Sequence, residues 1–115
     1  MKKVNYDSKP TAIESVGNGS YLYRWAIEAT EQDGRTSWEC LEVVVWNEPS
    51  ASAITAAAIA AMWPSSEEKK LINDYNAAAA GLLDESYMVA YSEFLAERGA
   101  LKEQIAADCA AYKGA

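Results

Sequence analysis

Two periodicities divide the chain. From Ser20 to Trp46 apolar and aromatic residues alternate with polar ones at the two-residue period of a β-strand. Beyond Pro49 they recur every three or four positions, as on a helix. Ser20 to Ala29 and Ser37 to Trp46 read as strands, and Thr11 to Val16 as a shorter one. Gly17-Asn18-Gly19 supplies one turn, because Asn-Gly suits a type I′ hairpin whose central residues both need positive φ. Asp33-Gly34 supplies another. A two-residue turn there sets Ile27 opposite Cys40, Tyr23 opposite Val44 and Tyr21 opposite Trp46, with Trp25 and Trp38 on the same face. That face is aromatic and expected to be covered. The other carries Arg24, Glu28 and Glu39 but also Leu41, Val43 and Val45, and a slip of one residue would exchange the faces.

Three helices should follow. Ser50 or Ser52 can cap an Ala-rich helix that ends before Pro64. Ser65 and Glu68 have capping-box spacing ahead of a second helix bearing Leu71, Ile72, Tyr75, Ala78, Ala79 and Leu82, with Gly81 as its terminator. Asp84 can cap the last helix. Its stripe is Tyr87, Tyr91, Phe94, Arg98, Leu101, Ile105 and Cys109, with Leu95 beside it. At 1.5 Å per residue this helix is about 40 Å long, longer than a three-stranded sheet covers. Part of the stripe is therefore expected to project and meet a partner chain. The expected fold is α+β within one domain, 1–115. A two- to three-stranded antiparallel meander spans 11–47, and helices span 50–63, 66–82 and 84–112.

Composition narrows the function. The net charge is −7, and the acidic residues are spread over both halves. This argues against nucleic acid or an anionic membrane, which both need clustered Lys and Arg. The Met-Lys-Lys start is followed by Val4-Asn5-Tyr6-Asp7, not by the apolar core of a signal peptide. The longest apolar run, Ala56 to Trp63, is too short to span a bilayer. A cytoplasmic protein is expected, with Cys40 and Cys109 as two buried thiols. With no histidine in the chain, a Cys/His zinc site and the usual triads are ruled out. Neither a cofactor nor a metal is expected.

The remaining polar groups have ordinary structural readings. Glu67-Glu68 and Asp84-Glu85 sit at helix starts, where acids complement the dipole, and Glu93 and Glu97 lie one turn apart on a solvent face. Asn73, Asp74 and Asn76 read as a solvated helix face. Arg98 is expected to snorkel or to pair with Glu42 or Asp74. Trp25, Trp38, Trp46 and Trp63 read as core, with a flat ligand platform as the alternative.

One resemblance adds a biological context. It rests on Gly17-Asn18-Gly19-Ser20-Tyr21-Leu22-Tyr23-Arg24-Trp25, on Trp38-Glu39-Cys40 with Val43 to Trp46, and on Pro49. It continues through Lys70-Leu71-Ile72-Asn73-Asp74-Tyr75-Asn76, Gly81, Tyr91, Phe94-Leu95-Ala96-Glu97-Arg98, Leu101 and Lys102. In order and spacing these resemble small accessory proteins of prophage tail-gene regions, of the XkdW-like family. The resemblance implies a non-enzymatic tail accessory or tail-fibre assembly protein, cytoplasmic or virion-associated. It would contact a tail-fibre or baseplate protein, or a second copy, through Tyr87, Tyr91, Phe94, Arg98, Leu101 and Ile105. The alternative is a small carbohydrate- or peptide-binding module. That module requires two or more of Tyr21, Tyr23, Trp25 and Trp46 exposed in one plane. An enzyme would need a concave site with acids of perturbed pKa, such as Asp74 with Glu42.

Overall fold

The computed structural model describes residues 1–114. Four strands, β1 (Val4–Tyr6), β2 (Ile13–Ser15), β3 (Ser20–Gln32) and β4 (Arg35–Trp46), precede three helices, α1 (Ala51–Met62), α2 (Ser65–Ala79) and α3 (Ser86–Gly114). All strand pairs are antiparallel, in the order β1-β4-β3-β2. This is the expected α+β arrangement with a long final helix. It has one more strand than the alternation showed, because β1 is three residues long and leaves almost no periodic signal.

The β3–β4 hairpin turns on Asp33 and Gly34, at φ 54° and 76°, as a two-residue turn with positive φ at both positions requires. Near the turn the register is the expected one, from Gln32↔Arg35 to Glu28↔Glu39. It then slips. Trp25 pairs with Leu41, so Ala26 and Ile27 together stand against Cys40 as a β-bulge. Tyr23 consequently faces Val43 rather than Val44, and Tyr21 faces Val45 rather than Trp46. The expected face is corrected accordingly. Tyr21, Tyr23 and Trp25 share the helix-covered face with Leu41, Val43 and Val45, while Cys40, Val44 and Trp46 pass to the back.

Ala26 sits at φ 53°, a left-handed conformation that costs an L-residue with a Cβ roughly 1–2 kcal/mol. We expect Ala26→Gly to leave stability unchanged or raise it by up to about 1 kcal/mol. Ala29→Gly, in regular strand, should lower it by about 0.5–1 kcal/mol. Urea titration of both variants reads the difference, and equal losses would mean that the bulge carries no strain.

The other hairpin forms without a type I′ turn at Asn18-Gly19. Gly17 and Gly19 take positive φ, 92° and 87°. The Asn18 Oδ1 instead accepts from the Ser20 backbone N–H and hydroxyl, at 3.1 and 2.5 Å. The helix ends follow their local chemistry more closely. Ser50 Oγ caps α1 by accepting from the Ala53 N–H at 3.1 Å, and Asp84 Oδ1 accepts from the Ser86 N–H at 2.9 Å. Gly81, at φ 81°, closes α2 in a Schellman turn: its N–H donates to Ala78 O and that of Leu82 to Ala77 O. The Ser65–Glu68 capping box is absent, because Pro64 occupies the N-cap position and Ser65 is already helical.

The core lies between one sheet face and helices α1 and α3. Ile13, Tyr23, Trp25 and Val45 of the sheet meet Ile54 and Ala58 of α1 and Leu101, Ile105 and Cys109 of α3. The short α1 fits because its buried positions are Ile54 and a small alanine, Ala58, which let it lie close to β4. Helix α2 packs along the N-terminal half of α3, and the bulged hairpin runs on beyond its neighbouring strands. The radius of gyration is 17.2 Å, against about 13 Å for a compact chain of similar length. The molecule is therefore elongated, 51 × 39 × 22 Å.

Candidate functional site

The α3 stripe is the internal spine of the protein and not a projecting surface. Leu101 and Ile105 are buried against the sheet. Phe94 is buried with its ring edge-on to Trp63, centroids 5.2 Å apart. Tyr91 meets Tyr75 of α2 in a second edge contact, also at 5.2 Å. Arg98 lies over the Phe94 ring and donates from Nη1 to Glu68 Oε1 at 3.1 Å. The expected partners of Arg98 are engaged elsewhere: Asp74 with Lys70 at 2.7 Å, and Glu42 with Arg24. The expectation of a projecting stripe fails because it compared the helix with the sheet alone, and α2 covers what the sheet cannot reach. Of the six candidate contact residues, only Tyr87 is exposed, at 39%. Close to it in sequence, at the α2–α3 connection and the first turns of α3, Leu82 at 79%, Leu83 at 39% and Val89 at 55% are exposed as well.

On the back of the sheet a polar cluster surrounds Arg24, which is almost fully buried. Its Nε donates to Glu42 Oε1 at 2.8 Å, and its Nη2 to Glu14 Oε1 at 2.5 Å. Nη1 reaches the Thr11 carbonyl at 3.2 Å. The Tyr6 ring stacks beneath the guanidinium at 4.5 Å, and its hydroxyl donates to Glu42. The two carboxylates hold Arg24 firmly protonated, its pKa raised by these hydrogen bonds despite burial. Sequence reasoning placed Arg24 on the face away from the aromatic row, gave it no partner, and missed this hub. A charged residue amid Tyr23 and Trp25 was the available signal, but Tyr6 comes from the unrecognised strand.

A groove with a cavity volume of about 660 Å³ opens between α3 and the bulged part of β3. Trp25, Ile27, Leu41, Met62, Trp63 and Leu101 give it an apolar wall, and Lys9, Glu97, Gln104 and Asp108 line it as well. Glu97, Leu101, Gln104 and Asp108 share one side of α3 because their spacings are four, three and four. Asp108 accepts from the Tyr23 hydroxyl at 2.6 Å and from Gln104 Nε2 at 3.0 Å. Burial, then the adjoining carboxylate, push the Tyr23 phenol far above its ordinary range, so it stays a donor. Such a groove can hold apolar side chains and a cation. Ala26 and Ile27 are the lining residues that sequence reasoning could not find, since they enter it through the bulge.

The other expected features are dispersed. The four tryptophans make no common plane: Trp25 is in the core, Trp63 against Phe94, Trp38 beneath Lys9, and Trp46 exposed on the back face. The two thiols are free and buried, with Cys109 in the helix-side core and Cys40 in the strand that β1 joins. Burial pushes both thiols upward in pKa. Among the described residues, no group of His, Cys, Asp and Glu is placed to hold a metal ion, and no helix is long and apolar enough to cross a membrane. Compared with models of known families, with curated proteins and with solved structures, the chain shows no match.

Proposed function

We propose that this chain is a non-enzymatic phage or prophage tail accessory protein that works by contact with a tail-fibre or baseplate protein. The tail context comes from the resemblance of its residue order to XkdW-like proteins. The contact mode is supported by one observation: large apolar side chains are left in solvent at the α2–α3 end, Leu82 at 79% and Val89 at 55%. Exposed apolar side chains gathered in one region mark interaction surfaces more often than single ones do. The contact surface is thus moved from the middle of the stripe to its start, with Tyr87 common to both.

A carbohydrate platform on the sheet has less support. Tyr23 and Trp25 are buried on one face, while Trp46 is exposed on the other.

Co-expression with each tail-fibre and baseplate protein encoded beside it, followed by size-exclusion chromatography, tests the proposal. Co-elution with one of them is expected, and Leu82→Asp with Val89→Asp should weaken it at least about tenfold with an unchanged circular dichroism spectrum. Absence of tail proteins among the neighbours, or a complex indifferent to both substitutions, would overturn it.

A further inference from the structure

The open edge of β3 and the groove beside it form a second surface with a more specific chemistry. Strand β2 pairs with β3 only at Tyr21 to Tyr23, and the last bond on that side runs from the Arg24 N–H to Ala12 O at 2.7 Å. From there β3 continues to Gln32 with β4 as its sole strand partner among the described residues. Hydrogen bonding alternates along an antiparallel strand. In a two-residue hairpin the Gln32↔Arg35 pair closes the turn, so Thr30 and Glu28 also bond towards β4. The N–H and C=O groups of Ala29 and Glu31 therefore face away from it, and both residues are exposed.

The groove begins where β2 stops. Ala12 and Lys9 line that end, and Ala26 and Ile27 lead from it onto the open edge. The bulge that takes β3 out of register thus lies at the junction of edge and groove, and it is held with Ala26 in a left-handed conformation. Bulges and strained residues concentrate at binding sites, where they re-aim side chains.

Charge decides the occupant. Glu97 and Asp108 line the groove, and Glu28, Glu31 and Asp33 stand along the hairpin, with Arg35 as the base at its turn. Of the two basic lining residues, Arg24 is held by Glu14 and Glu42, and Lys9 lies over the Trp38 ring at 5.6 Å. A second copy of this chain, at net charge −7, would bring like charges to an acidic edge.

We propose that the Ala26–Gln32 edge of β3 accepts an extended segment of a different polypeptide, in line with β2. That segment carries alternating apolar and basic side chains. Its backbone pairs with Ala29 and Glu31. Its apolar side chains enter the groove against Trp25, Ile27, Trp63 and Leu101, and its lysine or arginine residues, pointing to the opposite face of the sheet, meet Glu31. Backbone pairing supplies affinity and the pockets for alternate side chains supply selectivity. This site is separate from the α2–α3 surface and stands or falls independently of the tail reading.

Fluorescence anisotropy with three labelled peptides tests it on the intact protein: one alternating valine and lysine, one alternating valine and glutamate, and the first with an N-methylated backbone. The valine–lysine peptide should bind saturably, and the other two at least about tenfold more weakly. Glu31→Lys, at an exposed position, should weaken the valine–lysine peptide by about tenfold without altering the fold. The amides of Ala29 and Glu31 should gain protection from hydrogen exchange on binding. No saturable binding would show that the acidic edge only blocks strand pairing, and would overturn the proposal. Equal binding of the N-methylated peptide, or unprotected Ala29 and Glu31 amides, would overturn it too. Neither result would touch co-elution with a tail protein through Leu82 and Val89.

Discussion

Arg24→Met is expected to destabilise the fold by about 3–5 kcal/mol, the cost of leaving a buried charge without its partner. Its guanidinium is bonded to Glu42 at 2.8 Å, and the Glu42 side chain is only 18% exposed. Without Arg24 the Glu42 carboxylate keeps the Tyr6 hydroxyl but loses its countercharge. The loss is large against a total stability of about 5–15 kcal/mol. The double variant Arg24→Met with Glu42→Leu should recover most of it, because an apolar pair of similar volume removes both charges from the interior. Glu14→Ala should cost no more than about 1 kcal/mol, since its side chain is 52% exposed. Guanidinium titrations of the single and double variants give the coupling directly. A loss below about 1 kcal/mol for Arg24→Met would show that water replaces the guanidinium and that the cluster is not a structural hub.

Ile105→Ala is the second large effect, expected at about 2–5 kcal/mol. Ile105 is fully buried in the core with Tyr23, Val45, Ile54 and Leu101. Three elements meet there: the sheet, α1 and α3. A cavity at that junction is hard to collapse, since the sheet is rigid and α1 is held at its start by the Ser50 cap. Leu82→Ala deletes a similar number of carbons at the α2–α3 connection, where the side chain is mostly in water, and should change stability by less than about 0.5 kcal/mol. Thermal unfolding of the two variants tests whether α3 acts as a spine. Similar small losses from both would mean that α3 is not integral to the core.

These contrasts show which parts of the molecule could be read from the chain. The Ser50 and Asp84 caps, the Gly81 terminator and the Asp33-Gly34 turn were legible because each depends on a few adjacent residues and their φ preferences. The α3 stripe was legible as a face, but its exposure was not. Whether Phe94 and Tyr91 meet solvent depends on Trp63, just past the end of α1, and on Tyr75 of α2. The groove was invisible for the same reason. Its walls come from β3, β4, α3 and the end of α1, and no spacing relates Trp25 to Trp63 or Ile27 to Leu101. Arg98 illustrates the limit well: its need for an acid was evident, but several acids were available, and the packing of α2 selected Glu68.

The hairpin separates the two kinds of information most sharply. Alternation along each strand is a local property, and it correctly grouped Tyr21, Tyr23 and Trp25 on one side and Leu41, Val43 and Val45 on one side. Which group of β4 joins which group of β3 is not local. One extra residue at Ala26-Ile27 reversed it, bringing Leu41, Val43 and Val45 under the helices and sending Val44 and Trp46 to the back. The sequence by itself determined the two long strands and the three helices, most of their ends and their faces, because these follow from backbone preferences and side-chain period. Only the tertiary structure decided the pairing of those faces. Burying Val45 and partly covering Leu41 and Val43 beside the aromatic row, and joining Arg24 to Glu42 across the back, offsets the strain of one left-handed alanine.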